Sequence, residues 1–321
     1  MNSFSRGLRD EALDALWAMT KSPDSNWWKD LLAFWSPSGV WTLDRQLRLA
    51  LRNNSLNLYL KGQSVARVNF GRYSKPFVEV HVKYAFDNAN EKGYAKLFGT
   101  MFLHGKSDRS DIYAGCTTLR DWMVRAATWE TPEKAQVERV VADNHNVIDL
   151  EMGIPGHAGQ DYQRRIDLVA LEPDARGARI VFWEAKRISD SRLRSRSPRP
   201  EVMTQIDDYR RYLDNSEHQM AVMTAYRKTC KTLGIFREMA AYGGGETLYI
   251  DPLVLNAGEA DSLITVDQEP RLAIFGSKDD FLLNPWPEHE AKLLGLGVSL
   301  LRLPPDDYHL SVPPVSNGSI T

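Results

Sequence analysis

The sequence predicts an α/β protein in which a mixed sheet flanked by helices fills the second half, behind a smaller α+β region. Three observations carry that prediction. Residues 131 to 225 read as helix, three strands, helix and strand; period-two alternation marks strands between 56 and 84; apolar residues at helical spacing fill 8 to 35. With 321 residues, 43% hydrophobic and 26% charged, the composition is that of an ordinary chain able to bury a core.

From the N-terminus, Leu13, Leu16 and Trp17 and then Trp28, Leu31, Leu32 and Trp35 make two short amphipathic helices. Trp17, Trp27, Trp28, Trp35 and Trp41 place five of the nine tryptophans in the first 41 residues, and with only Lys21 and Lys29 among them they read as core rather than as a base-stacking surface. Leu56, Leu58 and Leu60, a turn at Lys61-Gly62-Gln63, and Ala66, Val68 and Phe70 form a hairpin. Val78, Val80, Val82 and Tyr84 give a third strand, with His81 on its polar face as a solvated residue. Residues 87 to 92 and 105 to 111 read as loops, and Leu119 to Ala127 as a helix. A boundary near 125 divides an N-terminal accessory region, 1–125, from a second domain, 126–321.

Thr131-Pro132 is a helix start, Thr as N-cap and Pro at the first position, and Val137, Val140 and Val141 make its apolar stripe. Strand-like runs follow at Val147 to Ile154, Arg165 to Leu171 and Arg179 to Ala185. Glu201 to Leu213 reads as helix and Met220 to Thr224 as strand. Beyond 225, Leu233 to Tyr242 is helical with Gly243-Gly244-Gly245 as its flexible end. Thr247 to Leu255, Arg271 to Phe275 and Val298 to Leu303 are strand-like, Glu288 to Leu294 is helical, and the residues after Pro304-Pro305 form a loose tail.

The chemistry concentrates on three of these segments. Asp167 sits on one strand, Glu184-Ala185-Lys186 ends the next, and Gln205 and Tyr209 lie one turn apart on the following helix. Two carboxylates can hold a hard divalent cation through oxygen, and a lysine two residues past the glutamate projects from the same face of a strand. Glu-Ala-Lys alone is weak evidence, since it recurs at Glu290-Ala291-Lys292, where Pro285 and Pro287 indicate a helix start. The first copy has an apolar strand lead-in, Ile180 to Trp183, and Gln205-x-x-x-Tyr209 is the sole such spacing among the twelve tyrosines.

In this order and context the motif resembles the PD-(D/E)xK phosphodiesterase superfamily, and the Gln-x-x-x-Tyr element resembles its RecB-type and lambda-exonuclease-type branch. The likeness covers about residues 131 to 225. It implies a restriction-endonuclease-like core and a Mg²⁺- or Mn²⁺-dependent nuclease, with DNA favoured as substrate and phage defence, restriction, recombination or repair as settings. It implies Asp167, Glu184 and the carbonyl of Ala185 as metal ligands, Lys186 beside the attacking water or scissile phosphate, and Gln205 and Tyr209 as positioning residues. The superfamily often adds an acid from the first core helix. Glu133 falls within the sheet-facing stripe and Glu138 at its margin, which favours Glu133, although an acid in the first turn also complements the helix dipole without any metal.

Arg187, Arg192, Arg194, Arg196 and Arg199 crowd the segment after Lys186, and Arg164 and Arg165 precede Asp167; together they read as a phosphate-gripping patch. Such a patch is needed, because a net charge of −2 and a pI near 6.4 give no overall attraction to a polyanion. A second reading keeps the same fold as a catalytically inactive nucleic-acid-binding or protein-interaction module, with the N-terminal region contacting a partner or a second copy; a third takes RNA as the substrate. The glycine run lacks the Lys-Ser/Thr of a P-loop, so no nucleotide cofactor is expected. Cys116 and Cys230 have no metal-ligand spacing. No stretch of eighteen apolar residues and no signal region are present, so the expectation is a cytoplasmic chain away from membranes.

Overall fold

The structure, a computed structural model, describes residues 4–40, 42–86, 92–104, 107–155, 165–175 and 177–310. It is a mixed α/β architecture with two sheets.

Helix α1 (Asp10–Lys21) and helix α2 (Trp27–Phe34) open the chain. The Asn26 side chain caps α2 by accepting from the backbone N–H groups of Trp28 and Lys29, and α2 turns Trp27, Trp28, Leu31 and Leu32 into the core. Trp35 is also buried. These tryptophans are therefore packing residues; Trp41 lies outside the described residues.

The first sheet is an antiparallel meander of seven strands in sequence order: β1 (Arg48–Arg52), β2 (Ser55–Leu60), β3 (Gln63–Phe70), β4 (Pro76–His81), β5 (Tyr94–Phe98), β6 (Met101–His104) and β7 (Ser107–Ile112). Lys61 and Gly62, both at positive φ (50° and 69°), make the tight turn between β2 and β3 that matches strand twist. After β4 the chain coils into a short helix α3 (Val82–Ala85), so Val82 and Tyr84 are buried as expected but not on a strand. Leu56, Leu58, Val68, Val78, Val80 and Leu97 face inward. Alternation then sends Asn57, Tyr59, Arg67, His81 and Tyr94 to the opposite face. Ser107–Ile112, read as a loop, is an edge strand; its polar composition hides it from a hydrophobic pattern and suits an edge. Residues 87–91 and 105–106 lie outside the described residues. Helix α4 (Cys116–Ala127) closes this region.

The second sheet has six strands. Helix α5 (Pro132–Asp143), capped by Thr131 as expected, leads into β8 (Val147–Gly153), β9 (Arg165–Asp174) and β10 (Gly177–Arg187), which pair antiparallel. Helix α6 (Val202–Leu213) follows. The next element is not a strand. Met220 to Thr224 lies inside α7 (Ser216–Ala241), a helix capped by Asn215 whose buried residues, Val222, Tyr226, Cys230, Leu233 and Phe236 among them, repeat every three or four positions; Met220 is on its solvent face. Four apolar residues in a row, Met220 to Met223, without flanking turn signals do not distinguish strand from helix. Likewise Asp251 and Pro252 start α8 (Pro252–Ala257), and Thr247 to Ile250 joins no sheet. The sheet is completed by β11 (Leu263–Val266) and β12 (Arg271–Phe275), both parallel to β10 along one edge, and, after α9 (Trp286–Gly295), by β13 (Leu300–Leu303) parallel to β12.

Strand β10 is the centre of this half. Ile180 and Phe182 on one face pack in a cluster that includes Val222 and Phe236 of α7, while Val181, Trp183 and Ala185 pack with Val140 and Val141 of α5. Helices thus cover both faces, as parallel pairing requires. The same large cluster contains Leu56, Val68 and Val80 of the first sheet. The residues after Pro305 are not loose as far as 310: Tyr308 and Leu310 are buried and bracket Asn144, which donates to the Tyr308 carbonyl and accepts from the Leu310 N–H. Residues 311–321 lie outside the described residues. Among the described residues no helix is long and apolar enough to cross a membrane.

Candidate functional site

Strands β9 and β10 run antiparallel with Trp183 opposite Leu168, and one further step along that register sets Asp167 beside Glu184. Because side chains alternate, Glu184 and Lys186 leave β10 on the face that carries Phe182, and the paired residues Leu272 and Ile274 of β12 flank them there. Asp167 reaches across and accepts a hydrogen bond from the Ala185 backbone N–H at 2.8 Å. The Ala185 carbonyl points to the same edge and accepts from Lys186 Nζ at 2.9 Å. The ammonium also lies 2.5 Å from Glu184 Oε1 and 3.5 Å from Asp167 Oδ2. The Lys186 ammonium is thus held among three oxygens, one each from Asp167, Glu184 and Ala185. Glu184 and Lys186 are 1% and 3% exposed, and Asp167, at 27%, is the side open to solvent.

Charge is unbalanced here. Burial, and then repulsion from Asp167, push the Glu184 carboxyl up to about 8 against the attraction of Lys186. Burial also raises Asp167 despite Lys186 and the Ala185 N–H. Burial by itself would lower Lys186, but the two carboxylates more than offset it and its pKa is raised. The site holds more acid than its own lysine neutralises.

That surplus fits a divalent cation. Glu184 Oε2 is buried with no hydrogen-bond partner, an oxygen with unspent capacity beside two that already hold a cation. Among the described residues no group of three or more His, Cys, Asp or Glu is arranged around a metal position. The donor set is instead two carboxylates and the Ala185 carbonyl, which suits an ion that keeps several waters, as Mg²⁺ does, and does not suit zinc.

The remaining candidates fall at graded distance. Glu133 of α5 is half-buried and lines a small cavity of about 60 Å³ with Asp167; burial raises its pKa, and it feels both Lys186 and Asp167. Glu138 is committed elsewhere, accepting from Arg48 Nε at 2.7 Å. Helix α6 lies over the Glu184 and Lys186 face, since its Val202, Met203 and Ile206 pack with Leu272 and Ile274. Gln205, between Val202 and Tyr209 on that side, has a buried Oε1 without a partner. Tyr209 is 2% exposed and belongs to the large core. Among the described residues no hydrogen bond joins Gln205 directly to Asp167, Glu184 or Lys186.

The described arginines differ in their partners and exposure. Arg192 is locked on Asp190 by two guanidinium hydrogen bonds of 2.9 and 2.6 Å, close enough to Glu184 and Glu133 for their charges to raise its pKa. Arg165 pairs with Glu151 at 3.0 Å and Arg199 with Asp207. Arg194 is half-buried, while Arg187 and Arg196 are exposed. Arg164 lies outside the described residues. The loop is pinned rather than slack: Leu193 is buried, and Lys292 Nζ donates to the Ser195 and Ser197 carbonyls at 3.0 Å each. Glu151, which sequence reading passed over, joins Asp167 in the cavity wall and raises its pKa; its only signal is alternation with Asp149 along β8.

The second Glu-Ala-Lys behaves differently. On α9, Glu290 is engaged by both guanidinium arms of Arg302 and Lys292 by the arginine loop, so the two side chains point to separate partners. Residues two apart oppose each other on a helix and align on a strand. No family model matches this chain, and no curated protein or solved structure matches it significantly.

Proposed function

We propose that this chain is a metal-dependent phosphodiesterase of the PD-(D/E)xK type, cutting nucleic acid with DNA as the first substrate to test. On this reading α5, β8, β9, β10 and α6 are a restriction-endonuclease-like core, with α7 and α8 inserted before the parallel strands. The observation that carries it is the placement of Lys186 Nζ among oxygens of Asp167, Glu184 and Ala185, beside the unspent Oε2 of Glu184.

A bound Mg²⁺ or Mn²⁺, held by Asp167, Glu184 and the Ala185 carbonyl, would supply charge neutralisation at the phosphate and a more acidic water. The residues have their own parts. Glu184, whose carboxyl is raised to about 8, must give up its proton to become a ligand, so cation affinity rises with pH across the neutral range. Lys186, held at the site by Asp167, Glu184 and the Ala185 carbonyl, would set fixed positive charge beside the phosphate, where it stabilises the more negative transition state. Glu133 of α5, which shares the cavity lining with Asp167 of β9, can accept a proton from a water near Asp167. Gln205 offers its buried carbonyl oxygen to orient a group over the same face.

The test is incubation of the purified protein with circular and linear duplex DNA, single-stranded DNA and RNA, in Mg²⁺, Mn²⁺ or EDTA. Cleavage is expected with metal and not with EDTA, and Lys186→Ala should slow it by about 10²- to 10³-fold, the usual cost of removing one preorganised transition-state contact. Failure to cut any of these substrates, or undiminished cutting by Lys186→Ala, sinks the reading.

A further inference from the structure

The outward face of the first sheet does not end in open solvent. Where β2, β3, β4 and β5 run past α5 and the ends of β8 and β9, they form one wall of a groove of about 510 Å³. Residues far apart in sequence meet there, and six are cationic: Arg6, Arg52, Arg67, Lys83, Lys134 and Arg165. A single carboxylate, Glu151, is in the wall. It pairs with Arg165 at 3.0 Å and Lys134 at 3.9 Å, while Asp149 beneath the floor is shared by Arg6 and Arg52. Among the described residues no carboxylate lies within ion-pair distance of Arg67 or Lys83. In a chain of net charge −2 this is a concentrated local excess of positive charge. Burial and then repulsion from Lys134 lower the pKa of Lys83.

The cations are interleaved with aromatic rings. Arg67 lies 5.8 Å from the centroid of Tyr94, which is 47% exposed, and Lys83 lies 4.8 Å from that of Tyr84. His81 packs edge-on to Tyr94 at 5.2 Å. Tyr84 is buried at 3% exposure, so Tyr94 is the ring open to a ligand; basic residues that follow a backbone, set beside an exposed ring, are the equipment of single-strand binding. Duplex bases are already stacked on one another and present only their edges to a protein.

The groove opens on the candidate site. Tyr59, Gly62, Lys134 and Glu151 line both it and the cavity that holds Asp167 and Glu133, and Arg165 stands two residues from Asp167 on β9.

We propose that this groove binds a short single-stranded segment of nucleic acid, phosphates along Arg67, Lys83 and Lys134 and a base on Tyr94, and leads it past Arg165 to Asp167, Glu184 and Lys186. The direction of travel rests on the phosphodiesterase reading; the binding does not. The accessory region is then the part that chooses single strand over duplex.

The test is equilibrium binding of a fluorescent single-stranded oligonucleotide to the full chain in EDTA, across a salt series. The double variant Arg67→Gln, Lys83→Gln, with unchanged circular dichroism, should bind at least tenfold more weakly at low salt. Its log–log salt slope should be shallower by about 1.4, two phosphate contacts at roughly 0.7 each. Tyr94→Ala, at a position 47% exposed and with unchanged circular dichroism, should weaken a base-bearing strand by about fivefold or more. It should bind an abasic strand of the same length as tightly as the unchanged protein does. Wild-type affinity and slope in the double variant overturn the proposal, as does equal competition by duplex DNA or by polyglutamate of matched charge. Binding as described with no cleavage in any metal leaves the groove standing and removes the phosphodiesterase; metal-dependent cleavage lost in Lys186→Ala, with the double variant binding as wild type, does the reverse.

Discussion

Asp149 and Glu184 are buried to nearly the same extent, at 2% and 1% exposure, yet the protein treats their charges in opposite ways. Asp149 on β8 has every oxygen engaged: Oδ2 accepts from Arg6 Nε and the Tyr226 hydroxyl at 2.9 and 3.0 Å, and Oδ1 from Arg52 and the Leu150 N–H at 2.5 and 2.8 Å. Burial alone would raise its pKa, but Arg52 and Arg6 outweigh that and hold it below the usual carboxylate value. Two cations serve one carboxylate. At Glu184 the ratio is inverted, with Asp167, Glu184 and nearby Glu133 around one lysine, and one oxygen is left without a partner. The first cluster joins the N-terminal segment, β1, β8 and α7 and is complete in itself. The second leaves Glu184 Oε2 without a hydrogen-bond partner, and the proposed metal site rests on that difference.

Asp149→Ala leaves Arg6 and Arg52 buried without their anion and should cost about 3–5 kcal/mol of unfolding free energy, read by urea denaturation. Glu184→Gln removes a charge that burial already opposes, and should leave stability within about 1 kcal/mol of wild type or raise it. Equal destabilisation by both substitutions would show that the two clusters are structural alike.

A smaller effect, on the order of 1 kcal/mol per pH unit, separates them by sign. In the folded chain Glu184 holds its proton up to about 8, whereas an ordinary glutamate loses it near 4.5. Its contribution to stability is therefore fully present below about 4.5 and drains away as pH rises to about 8. Asp149 runs the other way: its folded pKa lies below 3.8, so its contribution is present above that value and is lost as pH falls through the folded pKa. Urea midpoints of the metal-free protein should accordingly fall between pH 5 and 8, and the decline should flatten in Glu184→Gln. An undiminished decline in that variant would assign the slope to other groups.

What could be read from sequence follows the range of the interactions. The run α5, β8, β9, β10 and α6 was legible because its signals are local: Thr131 and Pro132 at a helix start, apolar leads into Asp167 and Glu184, and one turn between Gln205 and Tyr209. Met220 to Thr224 was misread because a short apolar run carries no period of its own, and the repeat that makes it helical extends to Met239. Ser107–Ile112 was missed because an edge strand is specified by its neighbour's backbone rather than by apolar side chains. The Asp149 cluster and the basic groove were invisible for a different reason. Each draws on β1 or β3, β8 and more distant segments, and no single segment carries the pattern.

The smallest expected effect lies at the second Glu-Ala-Lys, which sharpens the comparison by holding the tripeptide constant. Glu290 is 7% exposed, about as enclosed as the clusters above, but its partner Arg302 is 48% exposed and grips it with both guanidinium arms. Water therefore screens the pair, and its net worth is that of a surface ion pair. Glu290→Gln should cost less than about 1 kcal/mol of unfolding free energy and leave metal-dependent cleavage unchanged, since Arg302 can turn to solvent and nothing is stranded. The same substitution at Glu184 should abolish cleavage while leaving stability intact. A loss of cleavage in Glu290→Gln would mean that α9 reaches the chemistry through the Ser195 and Ser197 carbonyls held by Lys292, and the motif's strand context would no longer explain the difference.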